Sequence, residues 1–375
     1  MAEVQGTCDA RFDGVRRALS SSLDSGADVG ASVAVYLHGE PVVDIWGGFV
    51  DEARSAPWER DTLTNVWSTT KTMTFLCALM LADRGQLDFH APVATYWPEF
   101  AQAGKAAIEV RHIMGHTAGL SGWDVLIDPP ELLADWEFCT SALAAQKPWW
   151  EPGTASGYHS LTQGFLIGEV VRRITGTTIG AFFAEEVAKP LGADFFIGLP
   201  ESEDARVSNV IPPPLMDLES LGLPELMVKT LGNPPLDGNL ALHEWWRRAE
   251  IPAANGHGNA RSVAAIQSVI AGRGESGGVR LLSAAGTDPI FEEQANGTDL
   301  VMGMPTRFGM GYGLGNAEIP LGPRGCRWGG FGGSVIRIDQ EAGLAVSYVM
   351  NRMEAGGDGD PRGETIVRET HQALA

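Results

Sequence analysis

Apolar positions recur at helical spacing at Met73, Leu76, Cys77 and Met80, and further apolar residues fill the gaps at Phe75 and Leu79. This pattern predicts a helix opening near Val66 and buried on most sides. Arg84 in the last turn and Gly85 beyond it are a helix stop. Upstream, Phe12, Val15, Leu19 and Leu23 predict a helix over Ala10 to Leu23. Two runs rich in β-formers, Ala31 to Leu37 and Val42 to Phe49, flank His38-Gly39-Glu40-Pro41 and predict a hairpin. From Val110 to about Leu199 the pattern is mostly helical, broken by Gly/Pro-rich loops, and Arg261 to Arg273 is another helix. Alternation returns over Cys326 to Phe331, Ser334 to Ile338 and Leu344 to Asn351, with Glu341-Ala342-Gly343 as the last turn. An amphipathic helix from about Arg362 to Leu374 closes the chain.

Strands at both ends with helices between them predict an α/β (α+β) fold. Its mixed, largely antiparallel sheet is assembled from both chain ends and flanked by helices, with a helical domain inserted. Residues 1–65 and 255–375 supply the sheet domain; residues 66–254 supply the helical domain, with the Val66 helix and a pocket cover. Between 200 and 250 the pattern loses regularity. Pro212-Pro213-Pro214 and Pro234-Pro235 break the chain, and Trp245-Trp246 offers aromatic surface. The segment reads either as a helical insertion partly covering a pocket or as a plain structural cover.

Charge narrows the partners. A formal net charge of -20 over 375 residues argues against nucleic acid and anionic membrane surfaces. The amino terminus has no basic and apolar signal-peptide pattern, and no apolar run reaches the roughly 20 residues of a membrane span. Cys8, Cys77, Cys139 and Cys326 are widely spaced, which suits a reducing cytoplasm better than a disulfide framework or a zinc site. The eight histidines show no ligand spacing, so neither metal nor cofactor is implied. No feature assigns an oligomeric state.

Three stations carry candidate chemistry. Ser68 and Lys71 lie three apart where the buried helix opens, on one face, within roughly 5–6 Å between Cβ atoms. A serine hydroxyl is a poor nucleophile until a base takes its proton, and a lysine serves only if burial lowers its pKa from about 10.4. Lysine is scarce here, and of Lys71, Lys105, Lys147, Lys189 and Lys229 only Lys71 has a serine three residues before it. The second station is Tyr158, in the glycine-flanked loop Gly157-Tyr158-His159-Ser160. A phenol near an ammonium can ionise and act as a base, or relay a proton to a leaving group. The plainer reading of Ser160 is a capping box with Gln163 for the helix through Leu166, Ile167, Val170, Val171 and Ile174. The third station is Arg327-Trp328-Gly329-Gly330-Phe331-Gly332-Gly333-Ser334, whose glycines mark either a glycine-rich turn or an edge able to aim a backbone N–H at an oxyanion. Gly274-Glu275-Ser276-Gly277-Gly278 matches G-x-S-x-G, but it follows a helix and precedes only the short run Val279 to Leu282, so it reads as a surface loop.

In this order the stations resemble the serine β-lactamase and penicillin-binding-protein superfamily, most closely the family VIII carboxylesterases. Ser68-Thr69-Thr70-Lys71 is similar to S-x-x-K, Tyr158-His159-Ser160 to Y-x-N or Y-x-S, and Trp328-Gly329-Gly330 to the W-G-G that replaces K-T-G. His116-Thr117-Ala118-Gly119-Leu120, Pro152-Gly153-Thr154 and Asn255 to Arg261 also look familiar, so the resemblance spans nearly the whole chain. It implies Ser68 as the acylated nucleophile, Lys71 and Tyr158 sharing the acid–base work, and the N–H groups of Ser68 and Phe331 as an oxyanion hole. Ser160, Trp328, Gly329 and Gly330 are the implied substrate contacts. The implied activity is cofactor-free hydrolysis of a small-molecule, short-chain carboxylic ester through an acyl-enzyme. A β-lactamase, an acyltransferase or a catalytically idle ligand-binding member of the same fold are the alternatives. The missing K-T-G lysine and threonine, with Ser160 in place of Asn, lean toward the esterase, and alternation points Arg327 away from Trp328.

Overall fold

The computed structural model describes residues 3–214, 222–355 and 359–375. Nine strands form its main sheet: β1 (Val4–Cys8), β2 (Gly30–Leu37), β3 (Glu40–Gly48), β4 (Ala295–Thr298), β5 (Pro305–Phe308), β6 (Gly313–Leu314), β7 (Gly325–Gly329), β8 (Val335–Asp339) and β9 (Leu344–Met350). Their order is β1-β3-β2-β9-β8-β7-β6-β5-β4, and every neighbour is antiparallel. The two ends of the chain meet where β9 lies against β2, from Leu344 opposite Leu37 to Met350 opposite Ala31. The β2–β3 hairpin turns through His38 and Gly39, both with positive φ (52° and 82°), the twist that a two-residue hairpin loop requires. Four strands carry no alternation visible in the sequence: the two edge strands β1 and β4, and β5 and β6 beside β4, which are short, polar or glycine-containing.

Helices α1 (Asp13–Ser25) and α8 (Pro361–Gln372) cover one face of the sheet, and α7 (Ala260–Ala271) covers the other. On that second face sits α2 (Lys71–Asp83), whose residues from Lys71 to Leu81 are all buried. A helix apolar on every side has no solvent face to offer, so it becomes the centre of the molecule. It packs on α5 (Thr162–Thr175), and α3 (Val110–Met114) and α4 (Trp136–Ala145) pack on α5 in turn. Strand alternation separates Arg327 from Trp328 as expected. Arg327 pairs in register with Arg337, which bonds Glu364 of α8, whereas Trp328 turns to α2 and packs on Phe75 at 5.3 Å.

Three expectations are corrected. Ser160 and Gln163 form no capping box. The helix begins at Thr162 with Leu161 as its uncapped N-cap residue, and the Gln163 amide donates instead to Ile113 O and Met114 O. Trp246 is not surface: it is fully buried, its Nε1 donates to Asn65 Oδ1 at 2.9 Å, and its ring lies 5.4 Å from Trp67. Ser276 is buried in a small hairpin, Glu275–Ser276 against Val279–Arg280, with its hydroxyl on Ser268 and Gly39 O. Within 200–250, residues 215–221 lie outside the described residues. The following helix, α6 (Glu225–Leu231), docks on the 121–127 loop through Thr230 to Ser121 (2.9 Å) and Lys229 to Asp124 (2.8 Å).

Candidate active site

From Thr62 to Leu81 every residue is buried except Ser68. The backbone that delivers it is strained. Trp67 has φ +48°, a left-handed conformation costing a bulky residue about 1–2 kcal/mol. Its ring is clamped between Trp246 and Phe331, both at 5.4 Å, which over-determines the conformation. A short 3₁₀ turn, Trp67–Thr70, then feeds α2, so Ser68 stands one turn before the helix proper and Lys71 is its first residue.

Two groups meet at the Ser68 hydroxyl. Lys71 Nζ lies 3.1 Å from Ser68 Oγ, and Tyr158 donates its phenol to the same oxygen at 2.9 Å. The Lys71 amine also lies 4.9 Å from the Tyr158 ring centroid. Its two remaining contacts are backbone carbonyls, Ser160 O at 2.6 Å and Ala253 O at 3.0 Å. Among the described residues Lys71 has no carboxylate partner, and burial alone drives its pKa well below the ordinary lysine value. Tyr158 moves the opposite way. Burial first, then the Asp299 charge, holds the phenol above its ordinary value, against the hydrogen bond to Ser68. Electrostatics thus favours a neutral amine beside a protonated phenol.

The loop bearing Tyr158 is held at each backbone N–H. Gly157 N donates to His116 O (2.9 Å), Tyr158 N to Asp299 Oδ1 (3.0 Å) and His159 N to His116 Nδ1 (3.0 Å). His159 spends both ring nitrogens on backbone, Nδ1 with Gly157 O (2.7 Å) and Nε2 accepting from Leu120 N (3.1 Å). That pairing requires the neutral ring, and burial pushes its pKa down to about 4. His116, itself at φ +61°, packs between Tyr158 (4.9 Å) and Trp328 (5.7 Å).

The glycine-rich station is fastened to the residues on either side of Ser68. Ser334 Oγ donates to Val66 O (2.8 Å) and pairs with Thr69 Oγ1 (2.8 Å), stapling the turn after β7 to the approach of α2. Only glycine fits at 330, because a Cβ there would collide with Val66 O and Ser334 Oγ and crowd Ser68 N at 3.3 Å.

The beta-lactamase family model matches residues 15–369 of this sequence. The chain belongs to the β-lactamase family. Esterase/beta-lactamase LipL of Mycobacterium tuberculosis is 35% identical over 374 residues, covering 93% of this chain and 83% of that protein. Esterase EstB of Burkholderia gladioli is 27% identical, covering 96% and 93%. Among solved structures, a family VIII carboxylesterase superposes with a TM-score of 0.93 at 40% identity, over 99% of this chain and 100% of that one. A penicillin-binding-protein homologue from Caulobacter crescentus gives 0.92 at 35% identity, over 99% and 100%.

In this member of the β-lactamase family, Ser68, Lys71 and Tyr158 form one hydrogen-bonded cluster. Ser160 contributes its backbone carbonyl to Lys71, so its place beside the site does not depend on its side chain. Trp328 is 5% exposed and packed among Phe75, His116, Tyr158 and Phe308, a wall more than an open contact. Sequence reading missed Ala253, His116 and Asp299. Ala253 acts through a carbonyl and leaves no side-chain signal. His116 showed only as part of a familiar segment, and Asp299 stands in a stretch with no motif.

Proposed function

We propose that the protein hydrolyses small carboxylic esters through an acyl-enzyme on Ser68, with Lys71 as base and Tyr158 as the proton donor to the leaving alcohol. The observation that carries this reading is the coordination of Lys71. An uncharged amine has two N–H groups, which Ser160 O and Ala253 O accept, and one lone pair, left for the Ser68 hydroxyl at 3.1 Å. A lysine so placed takes the serine proton as the oxygen attacks the ester carbonyl. The Ser68 and Phe331 N–H groups are the proposed donors to the developing oxyanion, a reading supported by the close approach of Gly330 to Ser68 N. The phenol then gives its proton to the departing alkoxide, and the Lys71 ammonium restores it, leaving the acyl-serine. Water enters by the reverse sequence, adding its proton to the same relay and its oxygen to the acyl carbon.

The esterase relatives and the carboxylesterase superposition support esters as the substrate class. Short acyl chains and a cytoplasmic location, the latter supported by four free cysteine thiols, are part of the same proposal. No helix among the described residues is long and apolar enough to cross a bilayer. A β-lactam asks for a cation to hold its carboxylate. By the resemblance, Trp328 stands where the K-T-G box has its lysine, and Arg327, in register with the Arg337 that bonds Glu364, lies on the α8 side of the sheet.

Intact-mass analysis after a fluorophosphonate tests the assignment. One adduct is expected, on the peptide containing Ser68, and it should be lost in Ser68→Ala together with p-nitrophenyl butyrate turnover. Labelling at Ser276, or equal kcat/KM for nitrocefin and the ester, would overturn the reading.

A further inference from the structure

Asp299 is fully buried, and among the described residues it takes part in no ion pair. Its Oδ1 accepts three backbone N–H groups: Tyr158 at 3.0 Å, Val301 at 2.9 Å and Met302 at 2.9 Å. Its Oδ2 is buried without a hydrogen-bond partner among the described residues. A carboxylate taken out of water and left half-satisfied is costly, and such groups are found where they do something besides fold the chain. Two of its bonds are local and shape the turn 299–304, which Asp299 N to Met304 O (3.0 Å) closes. The third crosses to Tyr158. Two more bonds tie the same segments together, Leu300 N to Ser156 O (2.8 Å) and Ser156 Oγ with Thr306 Oγ1 (3.2 Å). The turn itself offers Leu300, Met302 and Met304 to solvent.

We propose that Asp299 is a positioning residue for Tyr158, its carboxylate joining the phenol-bearing loop to the apolar 299–304 turn and holding the phenol on Ser68. The inference rests on the proton-donor role of Tyr158 proposed above. Neither neighbour of Tyr158 replaces this bond. Gly157 and His159 are both fastened to His116, whereas the tyrosine's own N–H is fastened only to Asp299. Removing it leaves the backbone free to rotate the phenol between its two anchored neighbours. The aspartate charge also faces the phenol and, after burial, helps keep it protonated for transfer.

The leaving group separates a positioning role from a structural one. An alkoxide needs a proton to depart and p-nitrophenolate does not, so a displaced phenol penalises ethyl butyrate more than p-nitrophenyl butyrate in kcat/KM, which reports acylation. Tyr158→Phe sets the reference bias. Asp299→Asn keeps one accepting oxygen but replaces a charge-assisted acceptor with a weaker neutral one. It is expected to lower kcat/KM for ethyl butyrate on the order of tenfold, the scale of a slightly misplaced catalytic group, while changing p-nitrophenyl butyrate by less than about twofold. Asp299→Ala should show the same bias with a larger loss. Placed on Tyr158→Phe, either change should add less than about twofold, because the phenol it served is gone. Equal losses on both esters, a full loss repeated on the Tyr158→Phe background, a folded Asp299→Asn that matches wild type, or an Asp299→Asn that does not fold would each overturn the proposal. If Tyr158→Phe itself shows no bias, it is the proton-donor reading that fails.

Discussion

Complete burial lowers the pKa of Lys71 well below the ordinary lysine value, toward the neutral amine. Its neighbours are a hydroxyl, two carbonyls and an aromatic ring, and no carboxylate among the described residues touches it. The acid limb of kcat/KM should therefore fall well below the ordinary lysine value, with activity present above the folded pKa of Lys71 and lost as pH drops through it. Lys71→Ala and Tyr158→Phe are each expected to lower kcat on an alkyl ester by on the order of 10²–10⁴. The double variant should be little worse than the more damaging single, since both groups act on one oxygen. Steady-state kinetics of the four proteins decides this, and multiplied losses would mean separate roles. Lys71→Arg should not rescue, because a guanidinium does not lose its proton in a protein.

At the scale of elements, α2 performs two tasks that compete. Its buried length fixes Ser68 and Lys71 against the sheet, and the same burial makes the lysine a base. The join to the sheet is aromatic: Phe75 packs edge-on against Trp328 of β7 (5.3 Å) and Tyr312 (5.4 Å), and Trp328 in turn backs His116 and Tyr158. Phe75→Ala should cost about 3–5 kcal/mol in urea unfolding, through lost burial and the cavity left behind. Phe75→Leu should recover much of it. A cost under about 1 kcal/mol for the alanine variant would show that neighbouring side chains collapse into the space.

For the whole molecule, acid should be the weak direction. His159 and His257 are buried as neutral rings, and burial pushes each from 6.5 down to about 4. Above 6.5 neither state binds the proton. Between 6.5 and about 4 the unfolded chain takes it up and the folded one does not, so stability is lost as pH falls through that window. A difference of 6.5 minus about 4, at 1.36 kcal/mol per pH unit, gives ~3 kcal/mol for each ring. Urea midpoints at several values between pH 7 and 4 should trace this slope. His257→Gln should flatten its share, since the side-chain amide can still donate to Asn255 O where the ring now pairs at 2.8 Å. An unchanged slope would assign acid sensitivity to the carboxylates.

The sequence by itself determined whatever depends on spacing. Period-3.6 and period-2 patterns placed α2, α7, α8, the β2–β3 hairpin and the β7–β9 ladder to within a few residues, and joined both chain ends in one sheet. A serine and lysine three apart, with a tyrosine in a glycine-flanked loop, marked the cluster that forms. Strands β4 to β6 stayed hidden because they are only two to four residues long and polar or glycine-containing, too short to show an alternating apolar face. Only the tertiary structure decided which charges the site holds. The lowered pKa of Lys71 depends on its complete burial, and the Tyr158 N–H is held by one buried aspartate oxygen 141 residues away. The turn that brings Gly330 to Ser68 depends on Ser334 meeting Val66 and Thr69, more than 260 residues back. Contacts of that range carry no periodicity, so they exist only once the sheet has closed around α2.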